Sequence, residues 1–266
     1  MCLIAIAWNT RPDLPLALIA NRDEFHQRPT APAGFDPAAP DVYGGRDLVQ
    51  GGSWLLASTR RRLAAVTNVR QGLQAESAAS SRGWLVRDFV HGDLAAPAFA
   101  AALAADAQAY GCFNLLLWDG DALWFASNTP AFTAAAVTPG LHAMSNGALD
   151  ARWPKSTAAT RTLAHWLATD AARGSGFNDG PPDADRLAPL FAGLHDTTVA
   201  PDAALPDTGV GIDLERRLSP PFIVGADYGT RSSSVVLVGE TGIGFEEHRF
   251  GPMGIAAGTS RAWLNG

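Results

Sequence analysis

Apolar residues in this chain gather in short, nearly unbroken runs rather than in strict alternation. CLIAIAWN and LPLALIANRD are two such runs separated by the turn-rich TRPDLP, which predicts an antiparallel hairpin. SWLLAS and LAAVTNV flank the basic TRRR turn and predict a second. CFNLLLW and ALWFASN meet across DGD, where Asp-Gly is a strong hairpin signal. AFTAAAV and LHAMSN follow around a TPG turn, and the tail predicts strands over FIVGADYG, SSSVVLVG and IGFEEHRF. YGGRDLVQGG, with two Gly-Gly pairs, reads as a loop. Strands this continuous in apolar residues are buried on both faces, so the sheet they form must be covered twice.

Two helical blocks interrupt the strands. SRGWLVRDFVHGD sets Trp84, Leu85, Phe89 and Val90 at helical spacing, and PAFAAALAADAQAYG is Ala-rich and ends on Gly. The second block covers WPKSTAATRTLAHWLATDAAR, with Pro154 at an early helical position, and RLAPLFAGLHD. The polar GSGFNDGPPDAD between them reads as a surface loop. Hairpins and helices in blocks, without βαβ alternation, predict an α+β fold dominated by antiparallel sheet. Two stacked sheets with helices outside, in a single domain over residues 1–266, satisfy the demand for double burial.

Composition narrows the function. The chain has 266 residues, a net charge of −6 and a pI near 5.4, and its longest basic run is Arg60-Arg61-Arg62 between two apolar segments. That excludes a nucleic-acid partner. No window reaches the ~20 apolar residues of a membrane span, and the N-terminal run lacks the pattern of a signal peptide. The two cysteines, Cys2 and Cys112, form no C-x-x-C pair, and the six histidines show no metal-ligand spacing. A reduced, cytoplasmic setting without metal is the expectation.

The chemistry-bearing position is Cys2. Removal of Met1 would place a thiol and an α-amine on one residue, with ordinary pKa values near ~8.5 and ~8, so the amine can act as the thiol's base. A buried cysteine acting as a small hydrophobe is the competing reading. The hairpin decides what surrounds it: the start of the first strand lies beside the end of the second, at Asn21, Arg22 and Asp23. Arg22 would then favour thiolate, and Asp23 would orient the amine.

IANRDEF, GGRDLVQGGSWL, AAVTNVR, MSNGALDARWPK and YGTRSSSVVLV occur in order, and together they resemble the NRDE, or transport and Golgi organisation protein 2-like, family. The resemblance implies a four-layer αββα sandwich similar to the cysteine-type N-terminal nucleophile hydrolases. It implies Cys2 as nucleophile with Arg22 and Asp23 beside it, and Asn68 as an oxyanion donor. Asn146 would orient the amine or the oxyanion, and Arg231 would be a late arginine near the nucleophile. It marks Asn21, Glu24, Arg46 and Trp54 as ligand-binding candidates. Arg22 and Asp23 are adjacent, so they can converge only if their strand has ended or bulged there.

Two readings follow. One is a cysteine amidase, thioesterase or acyltransferase using Cys2 on a small acyl amide or thioester, without a cofactor. The other, also implied by the resemblance, is a non-catalytic binding or trafficking protein for haem, acyl-CoA or lipid in the same pocket. No C-x-x-C-H or axial ligand pair speaks for haem.

Overall fold

The computed structural model describes residues 2–72, 78–172, 180 and 183–265. Strands β1 (Cys2–Trp8) and β2 (Leu16–Phe25) form the expected hairpin, with Cys2 opposite Arg22 and Trp8 opposite Leu16. β5 (Leu55–Ser58) and β6 (Arg62–Asn68) pair around the basic turn, and β7 (Phe113–Trp118) and β8 (Leu123–Ser127) pair across Asp-Gly. With β3 (Thr30–Asp36), β4 (Ala39–Asp47) and β9 (Thr133–Ala136), these make a seven-stranded antiparallel sheet running from β3 to β9 in chain order.

The other sheet has six antiparallel strands. Its order is β10 (Gly140–Met144), β1, β2, β11 (Tyr228–Val238), β12 (Gly242–Phe250) and β13 (Ala256–Asn265). The TPG turn therefore carries the chain from the edge of one sheet, β9, to the edge of the other, β10.

Period-two alternation sorts each strand's residues between two layers. Ile4, Ile6 and Trp8 of β1, with Leu16 and Leu18 of β2, meet Leu55, Leu63, Leu116 and Trp118 between the sheets. Leu3, Ala5 and Ala7 face the other way. They pack with Ile19 and Val235 beneath helices α3 (Pro154–Ala168) and α4 (Ala184–Leu194), against Leu163, Trp166, Leu187 and Leu190. The outer face of the seven-stranded sheet, through Val66, Leu115 and Leu117, is covered by α1 (Gly83–His91) and α2 (Ala96–Leu103). The result is the αββα sandwich that the apolar runs require, since every central strand is buried twice.

Three local expectations change. YGGRDLVQGG is not all loop, because β4 extends through Asp47. Its glycines serve close approach: a Cβ on Gly44 would lie 2.4 Å from the Leu55 carbonyl oxygen, and one on Gly45 would lie 2.2 Å from the Trp54 ring. FIVGAD is not strand, since β11 begins only at Tyr228, and Ile223 instead caps that strand by accepting from Thr230 N at 2.9 Å. β3 and β13 are strands without an apolar run, held as edges of their sheets. Most of GSGFNDGPPDAD lies outside the described residues.

Candidate active site

The site forms where the open ends of β1, β2 and β6 meet. A cleft of about 220 Å³ is lined there by Cys2, Arg22, Asp23, Glu24, Trp54 and Asn68, together with Arg28, Asp47 and Arg82. Cys2 is half-buried and lies on the same face of β1 as Ile4 and Ile6, so its side chain belongs to the space between the sheets. Its carbonyl oxygen accepts from Ser145 Oγ at 2.9 Å, which pins the end of β1. Burial pushes the Cys2 thiol up from its ordinary value; Asp23's charge adds to the rise and Arg22's opposes it. A thiol held protonated this way needs a base, which is the role an N-terminal amine can fill.

Arg22 stands directly across from Cys2, buried, with its guanidinium 4.3 Å over the Trp54 ring and 3.6 Å from Glu24. The stacked ring orients the guanidinium. A methyl group on Gly45 would displace that ring. Gly45→Ala is therefore expected to slow alkylation of Cys2 or disturb its pH profile, measured against Cys112 as an internal control; an unchanged profile would remove Trp54 and Arg22 from the site.

Asn68 closes β6 and is half-buried in the cleft. Among the described residues its side-chain amide has no hydrogen-bond partner, whereas its carbonyl accepts from Asn146 Nδ2 at 2.9 Å. An amide that is held by its backbone and unspent at its tip is what an oxyanion donor requires.

Asp23 is buried on the opposite face of β2 from Arg22, as alternation dictates, and its Oδ1 accepts from Thr230 Oγ1 at 2.7 Å. The irregularity that relaxes the sheet lies on the neighbour: β11 shifts register against β2 between Thr230 and Ser232. Arg22 and Asp23 thus flank Cys2 from two sides of the sheet rather than converging on one.

Other candidates fall elsewhere. Asn146 is fully buried behind the cleft, where it ties Asn68 to Ser145 and Lys155 rather than facing the open space. Arg231 sits at the β11 bulge and gives its guanidinium to the carbonyls of Phe25 and Arg28, at 2.9 and 3.1 Å. It stiffens the turn after β2 and does not line the Cys2 cleft. Arg46 opens on a separate pocket beneath α1, beside Gly44 and Arg87. Its neighbour Asp47 takes the cleft position, gripped by Arg28 at 3.1 and 2.6 Å. Burial alone would raise Asp47's carboxyl, but the Arg28 fork outweighs it and holds the pKa low.

Asn21 belongs to the helix side. Its Nδ2 donates to Leu194 O and Pro221 O at 2.7 and 2.8 Å, and its Oδ1 accepts from Ser233 Oγ at 2.6 Å. All of its bonds are structural. Asn21→Ala is expected to cost about 1–3 kcal/mol, by leaving buried partners unsatisfied, without changing Cys2 alkylation in the folded protein. A shift in alkylation at unchanged stability would restore Asn21 to the site.

Sequence reasoning missed Arg28, Asp47 and Lys155. Lys155 falls in the helical block that starts at Trp153-Pro154, where nothing in the spacing singles it out; it is buried at the second position of α3. Only its place beside Asn146 in the fold makes it notable.

The comparisons with known proteins agree with this architecture. A solved Caenorhabditis elegans N-acylethanolamine-hydrolyzing acid amidase ortholog matches with a TM-score of 0.52 at 10% identity, covering 89% of this chain and 92% of that one, a likeness of fold. The layered sheets thus share the fold of that amidase. A Bos taurus transport and Golgi organization protein 2 homolog is 31% identical over 261 residues, which is 91% of this chain and 90% of the relative. The Homo sapiens homolog is 30% identical over the same shares. The sequence profile described as Transport and Golgi organisation 2 matches residues 1–251, and on that span the chain belongs to the Transport and Golgi organisation 2 family.

Proposed function

We propose that this chain is a cysteine N-terminal nucleophile hydrolase that cleaves a small acyl amide or thioester, with acyl transfer as its variant reaction. The observation that carries the reading is the Cys2 thiol sharing one cleft with the unspent Asn68 amide. Removal of Met1 frees the Cys2 α-amine, which takes the thiol proton. The thiolate attacks the carbonyl carbon, and Asn68 Nδ2 donates to the oxygen that gains charge. The C–N or C–S bond then breaks as the ammonium returns its proton to the leaving group, leaving an acyl thioester on Cys2. Water deprotonated by the same amine releases the acid; another nucleophile in its place gives acyl transfer. Arg28 and Arg82 line the same cleft and suit a polar portion of the substrate, Arg28's charge being already matched by Asp47.

The test is the intact mass of untagged protein, followed by a panel of acyl amides and thioesters. Loss of one methionine with saturable turnover supports the reading. A processed protein that turns over nothing removes it.

A second reading, ligand binding without chemistry, draws on a different cavity. A groove of about 500 Å³ is lined by Phe25, Val199, Leu218, Phe222, Val224 and Tyr228, with Arg217 at its edge. Apolar walls with one cation suit the chain and head of an acyl-CoA-like ligand. They offer no His, Cys or Met to haem iron, and Tyr228 is the one lining residue of a type that ligates it. Saturable binding of an acyl-CoA to the Cys2→Ala protein, lost in Val224→Glu, supports this reading; the absence of saturable binding ends it.

A further inference from the structure

Lys155 carries a cation into the interior at 2% exposure. An ammonium has three N–H donors, yet among the described residues Nζ makes one hydrogen bond, 3.4 Å to Asn146 Oδ1. Burying a charge with so little compensation is costly unless an opposite charge faces it. The charged and titratable groups around it are Asp23 on β2, Cys2 on β1, and Arg70 with Glu215. Glu215 is committed elsewhere: Arg70 Nη2 donates to it at 2.5 Å, and Thr208 Oγ1 at 2.6 Å. Asp23, on the helix-facing side of β2 where the N-terminal amine and Arg22 also act on it, is the remaining counter-charge, acting across space rather than through a direct ion pair. Burial pushes Lys155 down, and Asp23 is the strongest charge holding it up. In return, burial pushes Asp23 up, and Lys155 is the strongest side-chain charge holding it down.

The single hydrogen bond matters as well. By donating to Asn146 Oδ1, as Ser145 Oγ also does at 3.4 Å, Lys155 helps fix which end of that amide is the donor, and the donor end holds the Asn68 carbonyl. We propose that Lys155 is a positioning residue of the Cys2 site: it supplies counter-charge to Asp23 behind β1 and helps lock the Asn146 amide that anchors Asn68. The catalytic consequence rests on the hydrolase reading; the charge pairing and the anchoring do not.

The experiment compares Lys155→Met, Lys155→Arg, Asp23→Asn and the Asp23→Asn/Lys155→Met double, following the Asp23 carboxyl carbon by NMR across pH together with thermal midpoints. Lys155→Met is expected to raise the Asp23 midpoint by about one pH unit or more, a tenfold change in its acidity, while Lys155→Arg keeps it near the native value. Each charge-removing single is expected to lower the melting temperature by on the order of 10 °C, and the double by no more than the worse single. An Asp23 midpoint unmoved by Lys155→Met, or a double whose losses simply add, overturns the proposal. Should Lys155→Met not fold, the double decides: folded supports the pairing, unfolded overturns it. Neither readout needs turnover, so a failed hydrolase reading is separable from a failed pairing.

Discussion

Cys2→Ala abolishes turnover of acyl substrates, with an expected loss on the order of 10⁴-fold or more in kcat, as for removal of other catalytic nucleophiles. The fold should survive. The change removes only the thiol of a small side chain, and the bonds that pin the end of β1 use the main chain: the ladder to β2 and the Ser145 Oγ contact to the Cys2 carbonyl. A melting temperature within a few degrees of the native protein is therefore expected alongside the lost activity. Iodoacetamide gives a check that needs no substrate. Because burial raises the Cys2 thiol, its alkylation should climb at pH values above the ordinary ~8.5, since only the thiolate reacts. Turnover that persists in Cys2→Ala would place the chemistry on another residue.

Asn68→Ala is expected to lower kcat by about 10²- to 10³-fold with little change in KM, the cost of losing one donor to a developing oxyanion. Stability should hardly move, because the side chain has no partner among the described residues and its backbone bonds remain. Asn146→Ala serves as the contrast. It removes a fully buried amide that joins Asn68, Ser145 and Lys155, so it should lose stability along with activity. If Asn68→Ala raises KM alone, Asn68 binds the ground state and the oxyanion donor lies elsewhere.

Much of this site could be read from spacing. TRPDLP is short enough that the first two apolar runs must fold back on each other, so Cys2 had to arrive beside Asn21, Arg22 and Asp23. The register, with Cys2 opposite Arg22, agrees with that reading. Asn68 was legible through the family resemblance of AAVTNVR rather than from spacing. What spacing could not supply was facing. Period two says that Arg22 and Asp23 point apart, and likewise Arg46 and Asp47, but not that both members of the first pair border the cleft while only Asp47 of the second does.

The sequence by itself determined the apolar central strands and their hairpins, though not β3, β4 or β13, together with the need for two covered sheets and the placing of Cys2 at a strand end. Those follow from local chemistry: apolar runs, turn residues and short connections. Only the tertiary structure decided that Arg28 and Asp47 rather than Arg46 edge the cleft, that Arg231 and Asn21 serve the scaffold, and that Lys155 stands behind Asn146. Each of those outcomes depends on which face of one element meets another element distant in the chain. That choice is made by the packing of both sheets and their helices at once, and no single segment carries it.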